Sequence, residues 1–353
     1  MTTFFPSRDN VKLLGRAFMR DDRIWLAYSG SGIDFKINGS KVIVNLTGDS
    51  TAEDEEKVND RAKVEVYVDG ERKLASLIDS SEKKLTVKMP SGEHVVRVIK
   101  ITESAMSFCI IESLETDSET VEKVADRDLY IEIIGDSITC GYGVDQPDPD
   151  INFITDTEDV TKSYSYLTAS NLGADYGIAS LSGYGIISGY TDNPANQRPD
   201  QIMPEHYEEA GFSFANIDGK QPQDIPWDFS GRARDIVVIN LGTNDDSFCD
   251  TNKYKQLWYK DEYKKFLCKV RTLNPDAYIF CILGMMGARL YPYVEMAVSE
   301  YADETGDKKI CAVEMAEQNR EIDGIAADYH PSPATHKKAA SYLSDYIQKT
   351  LNI

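Results

Sequence analysis

The feature that most limits how this 353-residue chain can fold is a change of pattern near residues 117–128. Ahead of it, apolar residues come in short β-rich runs: "KVIVNLTG", "KVEVYVDG", "RKLASLID", "KKLTVKMP", "EHVVRVIKIT" and "SFCIIESLET", parted by turn signals such as "DGER" and "PSGEH". Short strands with regular turns and no helical period predict an all-β jelly roll or β-sandwich over residues 1–125. Beyond the polar stretch "ETDSETVEKVADRD" the runs lengthen into "LYIEIIGD", "ADYGIAS", "DIVVINLGTN", "AYIFCILG" and "KICAVEM". These are close to continuously apolar, as strands covered on both faces must be. Helical stretches lie between them: Tyr259, Tyr263, Phe266 and Val270 recur at helical spacing, as do Ala339, Leu343, Tyr346 and Ile347. Strand–helix alternation predicts an α/β domain with a parallel sheet over residues 126–353.

Composition narrows the partners. With a net charge of −21, the chain repels phosphate, which argues against non-specific binding to nucleic acid or an anionic membrane. No apolar run is long enough to span a bilayer. The opening "MTTFFPSRDNVKLLG" lacks the basic flank and apolar stretch of a signal peptide. The six cysteines are scattered without CxxC pairs, several inside apolar runs, so they read as buried thiols in a reducing compartment. Together these features predict a cytoplasmic protein; they say nothing of its oligomeric state.

In a parallel α/β sheet the functional loops follow the carboxyl ends of the strands. The first of these loops is "GDSITCGYG". Serine needs an exposed position and a base to become a nucleophile, and the glycine two residues ahead permits a tight turn under Ser137; a serine capping a helix is the plainer alternative. The second is "LSGYGIISGY", where Gly183 and Gly185 either bring backbone N–H groups to a ligand or make a turn. The third, "LGTNDDSF", places the amide of Asn244 on the same rim, where it serves as an oxyanion donor or as a turn residue. The last is "GIAADYHPSPATHKKAA". Of the four histidines, His94 falls in a β-domain strand, His206 in a polar excursion and His336 in the first turns of the last helix. His330 alone falls in a loop placed to meet Ser137.

In combination, "IIGDSIT … LSGYG … INLGTND … DYHP" resembles the SGNH (GDSL-type) hydrolase superfamily. With "GSGIDFKINGSKVIVNL", "WDFSGRARDIVVINLGTND" and "DYHPSPATHKKAA", the chain is more narrowly similar to carbohydrate esterase family 2, which joins a β jelly-roll domain to an SGNH domain. The resemblance implies that Ser137 is the nucleophile and His330 the general base, with the Ser137 N–H, Gly183 and Asn244 as the oxyanion hole. It implies deacetylation of O-acetylated sugars, as in acetylxylan, through an acetyl-enzyme and with no metal or organic cofactor. The superfamily's acid stands three residues before the histidine. Here that position is Ala327, so either Asp328 orients the imidazole, since i and i+2 point the same way in an extended segment, or a backbone carbonyl does.

Tyr291 in "MMGARLYPYV" and Trp227 in "DIPWDF" are candidates to stack on a sugar ring, against a packing role. The Asp/Pro-rich "VDQPDPDINFITDTEDVT" reads as an irregular solvated loop whose spacing matches no EF-hand. Two other functions stay open: an SGNH esterase, lipase or thioesterase acting on a non-carbohydrate ester, and a non-catalytic sugar-binding protein.

Overall fold

The computed structural model describes residues 1–353 and has two parts with the two patterns expected. Between Thr2 and Lys123, ten strands hydrogen-bond into one antiparallel sheet. Two strands dominate it, Gly32–Gly48 and Glu82–Lys100, paired along most of their length. The strands expected from the sequence take in only the second half of the first, "KVIVNLTG", and split the other at "PSGEH", but the ladder runs through both places, with a register shift between Gly39 and Lys41. The shift has a packing consequence. Ile33, Phe35 and Ile37 are buried before it, and Val42, Val44 and Leu46 after it. The irregularity changes which parity faces inward, so the bent strand lines a single core with both halves. The sheet therefore curls round one apolar interior.

The second part is a five-stranded parallel sheet in the order Asp175–Ser180, Tyr130–Gly135, Ile236–Asn240, Tyr278–Leu283, Ile310–Glu314. Its two faces have separate cores. Ile134, Val237 and Ile239 pack on the helices Lys253–Leu273 and Tyr291–Thr305, through residues such as Tyr259, Phe266 and Val294. Ile131, Ile133 and Val238 pack on Tyr164–Asn171 and Pro333–Leu351, through Ala169, Leu343 and Ile347. Chain order reverses on either side of Tyr130–Gly135, making the crevice between it and Ile236–Asn240 the topological switch point, where such sheets bind ligands. No helix is long and apolar enough to cross a membrane. None of the six cysteines is bonded to another, and Cys109, Cys140, Cys249 and Cys281 are buried.

The two parts are joined by buried charge. Glu132 interrupts the apolar strand "LYIEIIGD" and is fully buried. Its carboxylate accepts from Arg16 Nε of the β-domain (2.7 Å) and from Arg234 Nε (2.8 Å). Arg16 also donates to the Tyr207 carbonyl (2.9 Å) and lies over the rings of Tyr207 and Trp227. Nearby, Lys12 pairs with Asp175 at 2.6 Å.

Candidate active site

The strand Tyr130–Gly135 ends in Asp136, whose extended backbone turns the chain into the short helix Ser137–Cys140. Asp136 caps that helix, accepting from the Ile138 N–H at 3.0 Å. Gly141, at φ 81°, closes it; a Cβ there would meet the Asp159 carbonyl at 2.6 Å. Ser137 is thereby fixed as the first helical residue at the carboxyl rim of the sheet, its own N–H without an intrahelical partner. Its Oγ lies 2.9 Å from His330 Nε2.

On the other side of the imidazole, Nδ1 is 3.2 Å from both the Ala327 and the Asp328 carbonyl oxygens. The Asp328 carboxylate faces elsewhere, accepting from the Tyr142 hydroxyl at 2.8 Å. The i, i+2 argument for a carboxylate at Nδ1 assumed an extended segment, but Asp328 (φ 48°) and Tyr329 (φ 64°) are both left-handed. That turn brings the main-chain oxygens, not the side chain, against the histidine. The Tyr142 ring packs on His330 with centroids 4.3 Å apart and is backed by Phe153. Burial pushes the His330 pKa down to about 4, although the two carbonyls pull it upward. The neutral imidazole is therefore favoured.

The other two rim loops are tied together. Asn244, in the first turn of Thr243–Cys249, donates from Nδ2 to the Tyr184 carbonyl (2.8 Å) and to Asp136 (3.3 Å). Its neighbour Asp245 is fully buried and accepts from the N–H groups of Ile186, Ile187 and Ser188 at 2.7–3.2 Å. Burial pushes Asp245 up to about 6 and Asp136 to about 7. Gly183 sits in the same loop at φ 82°, with nothing within 4 Å of where a Cβ would be. An activated hydroxyl, a neutral imidazole in a fixed tautomer and amide donors on the adjacent loops are the parts an acyl transfer needs.

Ser137, His330 and Asn244 thus share the rim at the switch point, and the Gly183 loop is bonded to the last of them. The aromatic candidates fall elsewhere. Trp227 stacks on Arg16 and lines a cavity with Tyr130, Asp175 and Tyr176, at the amino ends of the strands, the opposite end of the sheet from Ser137. Tyr291 begins a helix and lines a groove with Ala312, Met315 and Tyr346 along the edge strand, with two strands between it and the one carrying Ser137. Both rings serve packing: they cover apolar surface at a domain seam and a sheet edge.

Exposed aromatic faces nearer the site belong instead to Tyr190, whose N–H donates to the Gly183 carbonyl at 2.8 Å, and to Tyr329, next to His330. The pattern "DYH" and the tyrosine ending "LSGYGIISGY" were the available signals for them. Tyr142, five residues after Ser137, was equally visible, but its partner was not. Nor is the stretch after the nucleophile wholly solvated. Phe153 backs Tyr142, and Glu158 and Asp159 are buried. His336 is buried, accepting from the Tyr164 N–H at 3.1 Å, and His206 and His94 pair with Glu209 and Asp69.

Residues 133–338 match the GDSL-like lipase/acylhydrolase family, to which the chain therefore belongs. Residues 13–122 match the carbohydrate esterase 2 N-terminal domain, so the protein carries that domain ahead of its hydrolase domain. Among similar proteins, cellulase/esterase CelE of Acetivibrio thermocellus is 30% identical over 98% of this chain, which spans 40% of that protein's length. An acetylxylan esterase/glucomannan deacetylase of Cellvibrio japonicus is 24% identical over 99% of this chain and 91% of its own. A family two carbohydrate esterase from Clostridium thermocellum, solved in complex with cellohexaose, superposes with a TM-score of 0.83 at 27% identity, covering 97% of this chain and 99% of that one.

Proposed function

We propose that the protein is a serine esterase that removes acetyl groups from acetylated sugars, acetylated xylan or xylo-oligosaccharides in particular. The observation that carries the chemistry is the 2.9 Å contact between Ser137 Oγ and His330 Nε2, with Nδ1 held by two carbonyls. Those carbonyls accept the Nδ1 proton, which leaves Nε2 bare to take the proton of Ser137 as its oxygen attacks the acetyl carbon. The oxyanion of the tetrahedral intermediate is received by the Ser137 and Gly183 N–H groups and by Asn244, which turns one amide hydrogen from Asp136 to it. Collapse breaks the ester bond, and Nε2 returns the proton to the departing sugar oxygen. Water then repeats the sequence on the acetyl-enzyme and releases acetate.

Carbohydrate as the alcohol is supported by the esterase names of the relatives and by the N-terminal domain. Tyr190 and Tyr329 offer exposed faces suited to sugar rings. A jelly-roll description of the β-domain belongs with this reading. So does a cytoplasmic location, which the buried free thiols favour and cell fractionation tests. The deciding experiment is acetate release from acetylated xylo-oligosaccharides by wild type and Ser137→Ala. Release that vanishes in the variant supports the reading, and release that persists removes Ser137 from the mechanism. Hydrolysis of longer acyl esters alone would assign the site to a different ester.

A further inference from the structure

Glu103 and Glu158 form a buried group that the reaction just described does not use. Glu103 lies three residues beyond the end of Glu82–Lys100, the longest strand of the β-domain. Its Oε2 accepts the Ser182 N–H at 2.9 Å, one residue before Gly183. Glu158 Oε2 accepts the Glu103 N–H at 2.7 Å. Both side chains are fully buried, and both Oε1 atoms lack any hydrogen-bond donor. One carboxylate oxygen of each glutamate and the Cys140 sulfur all lie within 4.8 Å of one another. Cys140 ends the helix that begins at Ser137, so the cluster touches both the nucleophile helix and the oxyanion loop.

Two bare carboxylates cannot be held this way, because burial without partners is costly and like charges repel. The buried cation nearby is Lys100, and its ammonium donates to the carbonyls of Ala27 (3.0 Å), Thr102 (2.7 Å) and Glu103 (2.7 Å). It therefore supplies one balancing charge but no hydrogen bond to either carboxylate. A proton on one of the two glutamates removes the like-charge repulsion between them and leaves one negative charge opposite Lys100.

We propose that Glu103 is a positioning residue for the Ser182–Gly183 loop, held in place as one half of a carboxylic acid–carboxylate pair with Glu158. The β-domain would thus set the geometry of the oxyanion hole directly, a role that rests on Gly183 donating to the oxyanion. Burial raises the affinity of both glutamates for a proton, in the sense the pair requires. The other charged or titratable groups facing it are Cys140, Asp159, Tyr142 and Tyr184, with Asp49 and Cys109 on the far side of Lys100.

The test compares kcat, KM and pH profiles for acetate release by wild type, Glu103→Asp and Glu103→Gln, with the metal content of each purified protein. Glu103→Asp withdraws the carboxylate from Ser182 by one methylene, and kcat is expected to fall about 10-fold or more, with KM within about two-fold, because a displaced oxyanion donor weakens transition-state binding. Glu103→Gln can accept from Ser182 and donate to Glu158, so it should keep kcat within about three-fold at neutral pH. Wild-type kcat is expected to fall at alkaline pH as the proton leaves the pair, and Glu103→Gln should lose that fall.

Wild-type kcat in Glu103→Asp overturns the positioning role. An identical alkaline limb in wild type and Glu103→Gln overturns the shared proton, as does a stoichiometric divalent cation bound among Glu103, Cys140 and Glu158. If Glu103→Asp does not fold, the Glu103→Gln profile still decides. An inactive wild type, or a fully active Ser137→Ala, refutes the esterase reading instead, so the two failures are distinct.

Discussion

The Tyr142 hydroxyl donates a 2.8 Å hydrogen bond to the Asp328 carboxylate, which therefore faces away from His330 Nδ1. With its carboxylate held outward and its backbone left-handed, Asp328 presents a carbonyl oxygen to Nδ1. A triad acid contributes through its charge; here the charge is spent on a phenol. Asp328→Asn keeps an acceptor for Tyr142 and keeps both carbonyls, so kcat should fall by no more than about five-fold, against about 10²-fold or more for loss of a true triad acid. Steady-state kinetics on one acetyl ester decides this, and a 10²-fold loss would restore the carboxylate to the mechanism.

Removing the phenol tests the same clamp from the other side. Tyr142→Phe keeps the ring on His330 but frees the Asp328 carboxylate, and the strained pair Asp328–Tyr329 then lacks the bond that holds it. The expected result is a kcat lowered about 3- to 10-fold with KM little changed, because only the orientation of the base is disturbed. A variant with wild-type kcat would show that packing alone holds the loop.

The pH dependence follows from the histidine's surroundings. The base must be neutral, and burial lowers the His330 pKa from 6.5 to about 4. Activity that depends on the neutral form is present above the pKa and is lost as pH falls through it. The acid limb of kcat/KM should therefore lie well below the ordinary histidine value, with most activity retained at about pH 5.5. A limb centred near 6.5 would mean that solvent reaches the ring more freely than its packing against Tyr142 allows.

On the proposed mechanism Asn244 has two tasks, and one substitution separates them. Asn244→Ala removes the proposed oxyanion donor and also the bond to the Tyr184 carbonyl. A loss of about 10²–10³ in kcat is expected from the donor alone. Asn244→Asp keeps the size of the side chain but places a second carboxylate beside Asp136, where it can only accept. It should be at least as impaired as the alanine variant. Single-turnover acetylation rates measure both, and an active Asn244→Asp would remove the side-chain amide from the oxyanion hole.

The extent to which the sequence revealed this site follows from what kind of contact each part makes. That Ser137, Asn244 and His330 meet on one rim, with the Gly183 loop beside them, was legible because a parallel sheet puts its loops there. The two-part architecture was legible from the switch in hydrophobic pattern. The union of "GSGIDFKING" with "SKVIVNL" into one strand was not, since a bulge and a turn use the same residues. Two partners for the imidazole stood open, the Asp328 carboxylate on an extended backbone or a backbone carbonyl, and two successive left-handed residues put carbonyls there; nothing in "ADYHP" announces that, as neither is glycine. For Trp227 and Tyr291 a packing role stood open beside sugar stacking, but the surfaces they pack on, around Arg16 and along the edge strand, were not legible. Glu132 drew no notice within an apolar strand, because Arg16 and Arg234, which converge on it, lie far away in sequence.

That convergence gives a stability prediction. Burial alone would raise the Glu132 pKa, but Arg16 and Arg234 overcome it and hold the carboxyl below its ordinary 4.5. A carboxyl with a depressed folded-state pKa stabilises the protein above its unfolded value and loses that contribution as pH falls through the folded one. Arg16→Met removes one guanidinium while filling the space among Tyr28, Tyr207 and Trp227. It leaves Glu132 half-compensated, so stability near pH 7 should fall by about 3 kcal/mol or more. Its acid limb should also be shallower than that of wild type, since less of the stability depends on Glu132 staying ionised. Denaturant titrations of both proteins at pH 7 and at about pH 4 measure the two effects together. Equal stabilities at pH 7 would mean that Arg234 alone satisfies Glu132, and that the seam between the domains is held by its apolar contacts rather than by this buried triad.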